Sequence, residues 1–100
     1  MREAQLAIVA GDGIGPEIMD AALQVFNKAA KRQNLSCTFV NLLAGGAALE
    51  TYDEPLPEAT VKAAQGASAV LLGAVGDPKW DSVEPAKRPE KAILGLRKAL

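Results

Sequence analysis

An α/β fold, a mostly parallel sheet flanked by helices, is predicted by three features of the sequence. Short continuous apolar runs occur at residues 6–10 and 69–72, the pattern of strands buried on both faces. Between and after them lie segments whose apolar residues recur at helical spacing. Glycine and proline punctuate the boundaries. Strands alternating with helices favour parallel pairing through right-handed crossovers.

The first strand, 6–10, stops at Gly11-Asp12-Gly13-Ile14-Gly15, and Pro16 suits the first position of a helix. Along that helix Ile18, Ala22, Val25 and Ala29 form an apolar stripe. Glu17 and Asp20 near its start, and Lys28, Lys31 and Arg32 near its end, complement the helix dipole. Residues 34–36 turn the chain into a second strand, 37–43, rich in Thr38, Phe39 and Val40. Gly45-Gly46 breaks it, and 47–51 suits a short helix. Pro55 and Pro57 bracket a loop, and a helix over 58–65 ends at Gly66. The third strand, 69–72, leads into a long connection, 73–88. Pro89 opens a last helix that reaches Leu100 without a cap or glycine stop, as in a segment of a longer chain.

One hundred residues amount to one small domain or part of a larger one. A hydrophobic content of 49% is ordinary for a folded α/β chain and too high for disorder. Eleven basic and twelve acidic residues leave a charge of -1, so nothing points to nucleic acid or an anionic membrane as partner. The single cysteine, Cys37, rules out an intrachain disulfide, and the lack of histidine removes the commonest general base and zinc ligand. Apolar runs such as 67–74 are too short to cross a bilayer, and no signal-peptide pattern is present. The default compartment is the cytoplasm.

The glycine turn after the first strand invites a dinucleotide reading, but its spacing departs from G-x-G-x-x-G. The third glycine falls at Gly15 where Pro16 should be glycine, and the second strand offers Asn41 where an acidic residue should meet a ribose. The alternative is a tight strand-to-helix corner in which Asp12 bonds nearby amides. Ile14 would protrude from that corner and offer an apolar surface to a flat ring.

The last helix carries a second constellation. Glu90, Ile93, Leu94 and Arg97 are spaced 0, 3, 4 and 7 and therefore share one face. Either the aliphatics enter the core with the charges at its rim, or the stripe meets a ligand with a branched apolar body and a carboxylate, which arginine grips through paired hydrogen bonds. Upstream, Gly76-Asp77-Pro78-Lys79-Trp80-Asp81 is a polar loop bearing the only tryptophan.

Together these residues resemble the β-decarboxylating dehydrogenases, the isocitrate/isopropylmalate dehydrogenase family, and its isopropylmalate-oxidising members most closely. The resemblance spans essentially the whole chain. It rests on Gly11-Asp12-Gly13-Ile14-Gly15-Pro16-Glu17, Gly45-Gly46-Ala47-Ala48, Pro55-Leu56-Pro57 and Leu71-Leu72-Gly73-Ala74-Val75-Gly76. Pro78-Lys79-Trp80-Asp81, Arg88-Pro89-Glu90, Ile93-Leu94 and Leu96-Arg97-Lys98 complete it and are the more specific part.

The resemblance implies an NAD-dependent homodimeric enzyme of leucine biosynthesis that oxidises 3-isopropylmalate and releases carbon dioxide, with magnesium or manganese as its metal. It further implies that Asp77, Pro78, Lys79, Trp80, Asp81, Arg88, Pro89 and Glu90 line the nicotinamide side of the NAD site and that Ile14 lies near the adenine. Ile93 and Leu94 would contact the isopropyl group, and Arg97 the malate carboxylates. Residues 1–100 would be the N-terminal portion of a larger dehydrogenase domain, with the acid–base pair and metal ligands beyond Leu100. The isolated chain is therefore expected to be inactive.

Where the family usually has a second glycine, this chain has Asp77, a poorer choice if that position needs positive φ. Relatives acting on isocitrate place a small polar residue where Ile93 stands. An aliphatic there would leave a third carboxylate unpaired, which favours a branched-alkyl malate over isocitrate, with homoisocitrate and tartrate as weaker alternatives. The competing class is a non-catalytic α/β module that binds a nucleotide or protein.

Overall fold

A computed structural model describes residues 2–100. Three parallel strands, β1 (Arg2–Gly11), β2 (Leu35–Asn41) and β3 (Ala69–Ala74), form a sheet in the order β2-β1-β3. Helix α1 (Gly15–Arg32) connects β1 to β2. Helices α2 (Gly46–Tyr52) and α3 (Glu58–Gly66) lie between β2 and β3, and α4 (Glu90–Ala99) follows β3. The alternation read from the sequence is the alternation observed.

Side chains alternate along β1, so its two faces seed two cores. Leu6 and Ile8 pack with Met19 of α1, joined by Leu23, Phe26, Cys37 and Leu71. The register Leu6↔Phe39 and Ile8↔Leu71 places the neighbouring strands' residues on that same face. Phe26 of α1 meets Phe39 edge to face, with ring centroids 6.2 Å apart. Val9 points the other way, onto Ala44 and Ala92, with Leu56 and Val70 around them. Helices α1 and α4 thus cover opposite faces of the sheet. A continuous apolar run is what a strand needs when both of its faces are covered.

Besides an earlier start for β1, at Arg2, three details differ from the sequence reading. On α1 the packed face is Met19, Leu23, Phe26 and Ala30, one position over from the apolar stripe, and Val25 of that stripe is 71% exposed. The helix carries apolar residues on both sides, and only the position of the sheet tells them apart. Second, β2 starts and stops two residues early, because Asn34 takes positive φ (56°) and turns the chain at once after α1. Third, β3 is an edge of this sheet and only half-buried, whereas β1, paired on both sides, is enclosed over residues 6–9.

Candidate functional site

In an open α/β sheet, ligands bind beyond the carboxyl ends of the strands where the strand order reverses. Here the chain steps from β1 to β2 on one side and later places β3 on the other, so the reversal lies between β1 and β3. The segments leaving those two strands are the glycine corner and the loop 75–89.

At the corner, Gly11 (φ 82°) and Gly13 (φ 61°) both adopt the left-handed conformation that glycine tolerates best. A Cβ on Gly11 would overlap the Ala74 carbonyl oxygen, and one on Gly13 would lie 2.8 Å from the Gly76 oxygen. The two crossovers therefore meet backbone to backbone. Helix α1 begins at Gly15, with Pro16 in its second position, and Ile14 protrudes with 64% of its surface exposed.

The Asp12 side chain does not bond the amides near it in sequence. Its carboxylate accepts from Gly46 N–H at 2.8 Å and from Gly76 N–H at 3.1 Å, residues 34 and 64 positions away. Its own N–H donates to the Ala74 carbonyl at 3.0 Å, and its carbonyl accepts from Gly15 N–H at 2.9 Å. The positive-φ position of the following loop is Gly76 (φ 108°), not Asp77, which is extended (φ -146°). Asp77 caps the short 3-10 turn Pro78–Trp80 by accepting from Lys79 N–H at 3.0 Å. Aspartate therefore suits this position locally.

The loop is fastened to α2. Lys79 pairs with Glu50 and lies 5.0 Å from the centre of the Trp80 ring, and Lys87 pairs with Asp53 at 2.8 Å. Hydrogen bonding to Glu50 holds the Lys79 ammonium above its ordinary pKa of 10.5, against a smaller opposing effect of desolvation. Hydrogen bonding to Asp53 acts on Lys87 in the same direction. Trp80 is half-buried against Gly46, with its Nε1 enclosed and lacking a hydrogen-bond partner among the described residues. Arg88 Nη2 donates to the Asp81 carbonyl at 3.3 Å and ties the two halves of the loop together.

Helix α4 turns Ala92 and Leu96 into the core, while Pro89 just before it is fully buried. The opposite face carries Glu90, Leu94 and Arg97 in the open, with Ile93 half-buried beside them. Glu90, Leu94 and Arg97 thus point away from the protein's own interior, and Ile93 sits at the boundary. Glu90 closes the circuit, since a Cβ on Gly76 would lie 3.0 Å from its Oε2. Arg88, Glu90 and Leu94 line an open recess of about 470 Å³ with Pro85 and Lys91. Ile93 and Arg97 extend along the helix outside that recess, and Ile14 follows Gly13, whose Cα side meets Gly76. Lys79 and Trp80 serve as anchors against α2.

A family model, isocitrate/isopropylmalate dehydrogenase, matches residues 5–100. The chain belongs to that family. A 3-isopropylmalate dehydrogenase from Clostridium pasteurianum is 48% identical over 100 residues, all of this chain and 28% of that relative. One from Psychrobacter cryohalolentis is 50% identical over 97 residues, covering 97% of this chain and 26% of the relative. The chain thus spans about a quarter of the length of these isopropylmalate dehydrogenases. Among solved structures, a β-decarboxylating dehydrogenase from Thermococcus kodakarensis superposes with TM-score 0.75 at 31% identity, covering 97% of this chain and 26% of that one.

The contacts that join Asp12 to Gly46 and Gly76, and the loop lysines to Glu50 and Asp53, were not legible in the sequence. The available signal was a lone carboxylate among glycines, which has no reason to stand there unless backbone amides converge on it. Among the described residues no cluster of three or more His, Cys, Asp or Glu is placed to hold a metal ion, so no step is assigned to one here. None of the described helices is long and apolar enough to cross a membrane.

Proposed function

We propose that these residues form the N-terminal part of a larger domain of an NAD-dependent enzyme that oxidises and decarboxylates 3-isopropylmalate to 4-methyl-2-oxopentanoate in leucine biosynthesis. One observation carries the reading: the Glu90, Ile93, Leu94 and Arg97 face turns outward beside the sheet's reversal point. An amphipathic helix with only a structural role would have buried Leu94, which is 61% exposed.

Arg97 binds a malate carboxylate through its planar fork of donors. Leu94 and Ile93 take the branched alkyl group, whose transfer from water favours binding. Asp77, Pro78, Asp81 and Arg88 form the wall for the nicotinamide half of NAD, braced from behind by Lys79, Trp80 and the buried Pro89, with Glu90 where cofactor and substrate meet. Ile14, open to solvent, suits one face of the adenine. The cofactor fits what is present: an exposed apolar side chain, Ile14, at one end and an open recess beside Arg88 and Glu90 at the other. When bound, NAD accepts the hydride. This segment's residues bind, orient and exclude water. No residue of this segment is assigned the proton transfers, and magnesium or manganese is held elsewhere in the enzyme. The parent enzyme works as a cytoplasmic homodimer, and the 100 residues alone do not turn over substrate.

A chimera tests this directly. The segment replaces the corresponding N-terminal 28% of the C. pasteurianum relative, and NADH formation is followed by absorbance. Turnover of 3-isopropylmalate by a folded, dimeric chimera supports the proposal. A folded, dimeric chimera without turnover contradicts it.

A further inference from the structure

We infer that Asp12 is a positioning residue whose carboxylate, shared between the amides of Gly46 and Gly76, sets the cofactor-side loop in register with the head of α4. This deepens the function proposed above and rests on it for its kinetic consequence.

Neither carboxylate bond serves the sheet. The β1–β3 ladder is continued by the Asp12 N–H to Ala74 bond, which needs no side chain. Oδ1 instead accepts from the start of α2 and Oδ2 from the residue where the loop leaves β3. Both are charge-assisted bonds to backbone N–H groups, the stronger kind. Gly76 is the hinge between the two halves of the site. Its carbonyl lies against Gly13 and its Cα against the Glu90 carboxylate, so a displaced 76 peptide moves the support of Glu90 and of the Asp77 turn together. The carboxylate is crowded where it meets the glycines: a Cβ on Gly45 would lie 2.7 Å from Oδ1 and one on Gly46 2.6 Å from Oδ2. The Trp80 indole nitrogen borders the same gap at Gly46.

Only aspartate meets these demands. Asparagine keeps one acceptor and turns an NH2 group toward the other amide. Glutamate is too long for the crowded space. The substrate face of α4 is held separately, by Ala92 and Leu96 in the core. Loss of the Asp12 carboxylate should therefore disturb the cofactor side and spare the substrate side.

The first test is amide hydrogen exchange on the 100-residue protein. In Asp12→Asn, exchange at Gly46 and Gly76 should rise about tenfold or more while amides of the β1–β3 ladder hold their rates. Equal acceleration throughout the sheet, or none at the two glycines, overturns the inference. Should Asp12→Asn not fold, the unmodified protein decides, since free exchange at either glycine amide is incompatible with the clamp. The second test places Asp12→Asn in the chimera. The KM for NAD should rise about tenfold, with the KM for 3-isopropylmalate within about twofold of the parent's. A loss of active enzyme with both KM values unchanged would make Asp12 merely structural and overturn the inference. An unmodified chimera that does not turn over would count against the function proposed above, and the exchange result would still judge the clamp.

Discussion

Leu94 and Leu96, two positions apart on α4, face opposite ways: Leu96 is 3% exposed and Leu94 61% exposed. The same side chain has a packing role at one position and an outward one at the other. Leu96→Ala should cost about 2–5 kcal/mol of stability, the range for emptying a core site. Leu94→Ala should change stability by less than about 0.5 kcal/mol. In the chimera Leu94→Ala should lower kcat/KM for 3-isopropylmalate about tenfold or more. Chemical denaturation and NADH assays separate the two effects.

The glycine corner sets a second expectation. Gly11→Ala forces a side chain into positive φ and drives its Cβ onto the Ala74 carbonyl, backbone that has nowhere to go. Stability should fall by about 3 kcal/mol or more. Gly66→Ala is the matched control, because nothing lies within 4 Å of a Cβ there. It should be neutral or slightly stabilising, since alanine is the better residue inside a helix.

Much of this fold was legible because β1 and the helices obey local rules. The apolar run of β1 and the proline after the glycine corner each carry their own structural meaning. The face of α1 was not legible. Ile18, Ala22, Val25 and Ala29 are as periodic as Met19, Leu23, Phe26 and Ala30, and no property of the helix alone chooses between them. On α4 the spacing left two readings open, aliphatics in the core or facing a ligand, and the fold leaves Leu94 exposed and Ile93 half-buried. Asp12 was noticed as a hydrogen-bonding residue but given the wrong partners. Its real ones are brought near only by the parallel sheet, which is a tertiary fact.

The pairs that fasten the loop to α2 have a pH signature. Glu50 and Asp53 raise the pKa of Lys79 and Lys87 above 10.5. The folded state therefore binds these protons more tightly than the unfolded chain does, so the stabilisation is fully present below about 10.5 and fades as pH rises through the raised values. Trp80 emission should report that loosening as an alkaline step. In Lys79→Met the step should shrink, and an identical step in that variant would remove Lys79 from the anchor. Both lysines are solvent-exposed, so the effect belongs to the loop and not to global stability.

Ile93 supplies a test of substrate choice. In the chimera, Ile93→Ser should lower the ratio of kcat/KM for 3-isopropylmalate over isocitrate by about tenfold or more, since it removes an apolar contact and adds a hydroxyl able to meet a third carboxylate. An unchanged ratio would mean that Ile93, half-buried as it is, belongs to the core and not to the pocket.

Arg97 tests the central claim most directly. Its guanidinium stands exposed on the outward face of α4, with no salt bridge to any carboxylate among the described residues. Arg97→Gln should leave the chimera's thermal midpoint and NAD affinity in place. It should lower kcat/KM for 3-isopropylmalate about a hundredfold, as expected when paired charge-assisted bonds to a carboxylate are lost. Steady-state kinetics at varied 3-isopropylmalate is the deciding measurement. A kcat/KM within about twofold of the parent chimera's would show that this face of α4 does not meet the substrate.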